Sequence, residues 1–93
     1  IDRLEPFGTG NPEPVFYTRG LRLRGAPQVL SRDTLKFWVT NGRHSFMAIA
    51  FGMGSFLDSL MNAQALDLVY SLGIDNWQGE SSLLLEVKDI FVK

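Results

Sequence analysis

Hydrolysis of a phosphodiester by the two-metal route needs clustered Asp and His ligands that hold a pair of cations about 4 Å apart and activate a water. This chain has a single histidine, His44, and its 10 acidic residues are scattered singly along 93 positions. Ser/His/Asp catalysis is formally open to His44 and any serine, yet no serine is framed by the G-x-S-x-G turn that exposes such a nucleophile. The lack of cysteine removes thiolate nucleophiles, thiolate zinc sites and disulfides together. No catalytic and no metal-ligating residue is therefore assigned. What the residues do offer is aromatic faces interleaved with cations, the combination that stacks bases and neutralises phosphates of a single strand. Lys36 and Trp38 stand two apart, as do Arg22 and Arg24; Arg32, Arg43, His44, Phe46 and Trp77 complete the candidate set.

The elements that must position these groups follow from period and punctuation. The stretch LEPFGTGNPEP at 4–14 holds three of the four prolines and two glycines, which excludes regular helix and central strand. Residues 1–14 read as a rigid connector and 15–93 as the domain. A glycine-rich backbone can cradle phosphate, but no Lys-Ser/Thr pair and no helix start follow here. A joint that orients the domain, with Phe7 as a packing anchor, is the stronger reading.

Within 15–25, Leu21 and Leu23 alternate with Arg22 and Arg24, the period of a half-buried strand. Residues 25–33 read as a loop carrying Arg32, and a second strand follows in which Leu35, Phe37 and Val39 alternate with Lys36, Trp38 and Thr40. Asn41-Gly42 predicts a type I′ hairpin into a third strand over 43–51. Phe56, Leu57, Leu60 and Met61 recur at helical spacing after Ser55 as N-cap, predicting a short helix over 54–63. A fourth strand spans 66–72, a turn over 74–80 carries Trp77, and a fifth strand covers 82–92. In that last strand Leu83, Leu85 and Val87 oppose Glu86 and Lys88. Five strands with a helix between the third and fourth match an all-β, five-stranded Greek-key OB-fold barrel. An SH3-like barrel is the competitor, and it would not normally carry a helix of about ten residues there.

If Leu35, Phe37 and Val39 fill the interior, the same period sends Lys36 and Trp38 outward. Two readings of an exposed Trp38 stand side by side: a stacking platform, or a contact with a neighbouring domain. On the third strand bulk favours Ile49 and Phe51 as core over Ala48 and Ala50, which would turn His44 and Phe46 outward beside Trp38. A tight interior would reverse that choice. Arg43 and His44 follow the hairpin turn, where solvated side chains are commoner than phosphate contacts. Arg22 and Arg24 also have a solvated reading, and Trp77 could plug the barrel mouth instead of meeting a ligand.

The apolar share of 45% and charged share of 20% are ordinary for a folded globular domain, and no apolar run approaches the roughly 20 residues of a membrane span. A cysteine-free chain suits a reducing cytoplasm. A first residue Ile1 reads as the start of a fragment of a longer protein. The net charge of −1 predicts weak, salt-sensitive binding to nucleic acid. It divides unevenly, +3 over residues 1–45 and −4 over 46–93.

LEPFGTGNPEPVF at 4–16, TLKFWV at 34–39, AIAFG at 48–52 and LLLEVKDI at 83–90 resemble the C-terminal OB domain of the RecJ family of 5′ to 3′ single-strand-specific DNA exonucleases. PFG-x-GNP-x-P is the specific element; the others are strand patterns whose order and spacing agree over nearly the whole chain. The resemblance implies an accessory domain that helps line the path of single-stranded DNA, in a repair and recombination nuclease of the cytoplasm. It implies no cofactor in this fragment and a divalent metal, Mn or Mg, in the parent's catalytic domains. Those domains, single-stranded DNA and a replication or repair protein are the implied partners, with no membrane. The catalytic Asp-His-His signature is absent here. One departure is Leu84, where the family often carries a polar residue. The alternative is a structural or protein-interaction OB domain that packs on the nuclease core or recruits a replication partner.

Overall fold

The computed structural model describes residues 14–77 and 79–93, except for the side chains of Asn76 and Trp77. The connector, apart from Pro14, and the anchor expected at Phe7 lie outside the described residues. The elements are β1 (Phe16–Leu23), β2 (Gln28–Leu30), β3 (Thr34–Thr40), β4 (Ser45–Ala50), α1 (Leu57–Met61), β5 (Leu66–Trp77) and β6 (Glu80–Val92). β1 pairs with β5 and β3, β3 with β4, β4 with β6 in parallel, and β6 with β5. These pairings return to β1, so the strands form a ring.

The interior follows from side-chain volume. Leu35, Phe37 and Val39 of β3 are all at most 1% exposed, and across the ladder Leu35 meets Ala50 and Phe37 meets Ala48. Large groups on one strand face small ones on the next, which fills the ring without overpacking. This overturns the choice of Ile49 and Phe51 as core: Phe51 is 70% exposed and Ala48 and Ala50 are fully buried. Phe46 consequently turns inward against the core rather than outward beside Trp38. Leu60 of α1 is fully buried with Leu66, and Met53, Phe56 and Leu57 pack half-buried against the core.

Four local expectations are corrected. The segment expected as a loop over 25–33 contains β2, which continues along the same edge of β3 as β1. Leu23 stands opposite Val39 and Gln28 opposite Lys36, so five steps on this edge cover three on β3 and Gly25–Pro27 bulges out. The hairpin after Thr40 is a four-residue loop, with Thr40 opposite Ser45 and Gly42 alone at positive φ. Asn41 caps it with its side chain instead of adopting the left-handed backbone, its Oδ1 accepting from the N–H groups of Arg43 (2.9 Å) and His44 (2.8 Å). The helix opens as a 3-10 turn over Gly54–Phe56 with no side-chain cap, so Ser55 is not its N-cap. Residues 74–77, expected in a turn, extend β5, and Trp77 stands opposite Glu80.

One buried charge ties β1, β5 and the C-terminal Lys93 together. Asp67, 3% exposed, accepts from the Gly20 N–H at 3.1 Å and the Tyr17 hydroxyl at 3.2 Å, and meets Lys93 Nζ at 3.2 Å. Gly20 reaches it because the β1 register breaks between Thr18 and Leu21, where Gly20 takes φ +76°. The Gly20 N–H holds the Asp67 carboxyl below its usual value of 3.8, against the opposing effect of burial and with further help from Lys93.

Two stability outcomes are expected. Phe37→Ala should lower unfolding stability by about 3–5 kcal/mol in denaturant titration, with Trp38→Ala costing far less. A lowered Asp67 pKa means that its stabilisation is present above the unfolded value and is lost as pH falls through the folded one. Melting temperature should therefore drop below the usual aspartate range, and Asp67→Asn should flatten that acid limb.

Candidate nucleic-acid interface

The outer side of β3 and its neighbours carries two cross-strand rows. In the first, Arg24 faces Trp38 through the Arg24 N–H to Trp38 carbonyl bond of 2.9 Å, Trp38 pairs with Met47, Met47 with Leu84, and Leu84 with Gly73. In the second, Gln28 pairs with Lys36, Lys36 with Ile49, Ile49 with Glu86 and Glu86 with Ser71. Successive strands lie about 4.8 Å apart, so Trp38, Met47 and Leu84 make one apolar strip. Trp38 is 44% exposed while Met47 and Leu84 are half-buried, which leaves a face of the indole open above the strip.

The bulge at Gly25–Pro27 shapes the strip's cationic end. Arg24, Gly25 and Trp38 line an open concavity of about 330 Å³. The Arg24 guanidinium is fixed there by a 2.9 Å bond from Nη1 to Ser45 Oγ. Gly25 adopts φ +81°, the left-handed conformation that glycine takes without Cβ strain. A bulge beside a ligand face re-aims the side chains around it.

Charge is graded across the face. Arg22, Arg24 and Lys36 lie on the β1 and β3 side, Glu86 on β6. Gly73, inside a strand where glycine is unfavourable, leaves the room that the Glu86 carboxyl occupies: a Cβ there would come within 2.5 Å of Glu86 Oε2. The acid thus leans over β5, away from Trp38.

The structure brings Arg24, Trp38 and Lys36 to one face, with Arg22 next along β1. Arg32 is exposed in the three-residue turn Ser31–Asp33 between β2 and β3, at positive φ, away from the Trp38 concavity. Arg43 and His44 are exposed in the β3–β4 loop, and the His44 ring lies 6.5 Å from that of Phe46. Phe46 lines a small groove at the ring's mouth with Leu21, Tyr70, Leu72 and Leu85, so it does not extend the outer aromatic surface. Trp77 ends β5, and its side chain lies outside the described residues. Met47 and Leu84 were not among the expected site residues. The departure at Leu84 faces outward and half-buried beside Met47, extending the strip.

A family model described as the RecJ OB domain matches residues 1–89 of the 93. The chain belongs to the RecJ OB domain family. Comparison with curated proteins gives no match. In this RecJ OB domain the described residues include no group of three His, Cys, Asp or Glu able to hold a metal ion, and no helix long and apolar enough to cross a membrane. The OB fold is a scaffold whose strand face and flanking loops bind oligonucleotides and oligosaccharides.

The geometry makes Trp38 the accessible indole of β3. In a Trp77→Phe background, Trp38 emission should be red-shifted and readily quenched by acrylamide in the folded chain. Blue-shifted emission resistant to quenching would show the indole to be sealed.

Proposed function

We propose that this RecJ OB domain binds single-stranded DNA as an accessory module of a 5′ to 3′ single-strand-specific exonuclease acting in cytoplasmic DNA repair and recombination. The observation that carries the reading is the outward Trp38 above the Met47–Leu84 strip, with Arg24 fixed beside it and Lys36 on the next row. Bases stack on the indole and the apolar strip while the cations meet phosphates. The strand ring serves as a Greek-key barrel that holds this face rigid. Divalent metal chemistry, with Mn or Mg, belongs on this reading to the catalytic domains of the parent, as the likeness to the RecJ family implies.

A second face supports the packing role. Val15, Tyr17 and Phe91 are each 47–56% exposed around a concavity that Tyr17 and Phe91 line with Asp67, Val69 and Lys93. Tyr17 lies on β1, Asp67 and Val69 on β5 and Phe91 on β6, with Val15 and Lys93 just beyond the ends of β1 and β6, away from β3 and β4. That apolar surface suits contact with the catalytic domains or with a replication or repair protein, which leaves the Trp38 face free for DNA.

Fluorescence anisotropy with labelled single-stranded oligonucleotides tests the proposal. Binding by the 93-residue chain should be measurable at low salt and weaken steeply as salt rises. Trp38→Ala should weaken it by about 1–3 kcal/mol, the worth of one base stack. Lys36→Ala and Arg24→Ala should each reduce the salt slope by about one phosphate. A Trp38→Ala chain that binds like the parent would remove the stacking platform.

A further inference from the structure

Beyond the Trp38 concavity the edge of the ring opens. β1 pairs with β5 only as far as Leu21 opposite Leu66, and from Arg22 onward it is held by β3 alone. The side of β1 that loses its β5 partner faces the end of α1 across a seam. This seam is an open concavity of about 460 Å³ lined by Arg22, Leu23, Gly25, Met61, Ala63 and Gln64. Gly25 lines both this concavity and the one beneath Trp38. A Cβ built on Gly25 would meet nothing within 4 Å, so Gly25 forms a low, open saddle between the two.

The two hollows differ in chemistry. The first has the indole as its wall and one arginine engaged with Ser45. The second has donors without partners. Among the described residues the Arg22 guanidinium makes no ion pair and the Gln64 carboxamide no hydrogen bond, and both residues are exposed. The Gln64 backbone is held, its N–H donating to the Lys93 carbonyl at 2.9 Å, so the side chain projects from a fixed point. Among the described residues no acidic side chain lines the seam. Met61, 60% exposed, adds an apolar patch that suits the face of a sugar. A cation, a neutral donor and a short apolar surface, without a competing carboxylate, match a sugar-phosphate unit.

We propose that the single-strand track runs from Trp38 over Gly25 into this seam, where Arg22 and Gln64 take the phosphate next to the nucleotide stacked on the indole. The inference rests on the single-strand reading of the Trp38 face and adds the direction of the track and two residues on its far side.

The test compares Arg22→Ala, Gln64→Glu, Gln64→Lys and Trp38→Ala in the 93-residue chain, using a fluorescein-labelled oligothymidylate of about 16 nucleotides over a range of salt. All three positions are exposed, and matched melting curves check that the fold is kept. Arg22→Ala and Gln64→Glu should each weaken binding about fivefold at low salt, Arg22→Ala should lower the salt slope by about one phosphate, and Gln64→Lys should raise affinity and slope. Trp38→Ala should weaken binding with its slope unchanged. Seam variants that bind like the parent while Trp38→Ala fails would overturn the track and leave the Trp38 platform standing. A seam built for an extended peptide would give that same result. No binding by the parent chain at low salt would remove both readings.

Discussion

Burial of Leu35, Phe37 and Val39 on one side of a single seven-residue strand fixes what the other side of that strand can do. Side chains alternate across a strand, so sealing Phe37 inside the ring forces Lys36 and Trp38 out. β3 is paired on both edges, with β4 along one and with β1 and β2 along the other. It cannot slip by one residue without placing an indole and an ammonium in the core and three apolar groups in water. The exposed tryptophan is therefore a consequence of core packing, held in place by a strand paired along both edges.

The surroundings of Trp38 follow from a second constraint, the mismatch between the β1–β2 edge and β3. Two surplus residues must leave the ladder, and they leave at Gly25–Pro27, beside the indole. The bulge creates a hollow where a straight strand would have left a flat surface. The charge asymmetry of the chain also acquires a spatial form. Arg22 and Lys36 of the first half stand on β1 and β3 with Arg24 just beyond β1, and Glu86 from the second half is seated over Gly73 on the far side of the strip. A domain of net charge −1 thus presents a locally cationic end to a ligand, which favours steering and weak retention over tight autonomous binding.

Much of this was legible in the residues because alternation is a strong signal where one face is buried. Leu35 to Val39 and Leu85 with Val87 gave their faces directly. β4 did not, because bulk is a poor guide where a partner strand already supplies large groups: Ala48 and Ala50 are inside because Phe37 and Leu35 occupy the space opposite. In β6 the register breaks at Lys88, with Val69 opposite Asp89 and Tyr70 opposite Val87, so Ile90 rather than Asp89 turns inward. Leu83 keeps the predicted face but remains 45% exposed, since it lies opposite Ile74 where the β5–β6 hairpin runs past the core. The bulge at Gly25, and with it the seam lined by Gln64 and Met61, depends on register between distant segments, which no local pattern carries.

On the proposed reading, a single strand lies across the outer face of β3, β4 and β6 around Trp38. Nitrogen- and methyl-detected NMR spectra of the 93-residue chain, titrated with a single-stranded oligonucleotide at low salt, examine it most directly. Concentration-dependent shifts are expected for the Trp38 indole N–H and for the Met47 and Leu84 methyl groups, with the buried Leu35 and Val39 methyls little changed. Shifts gathered instead around Tyr17 and Phe91, with the Trp38 indole and the Met47 and Leu84 methyls unmoved, would contradict it.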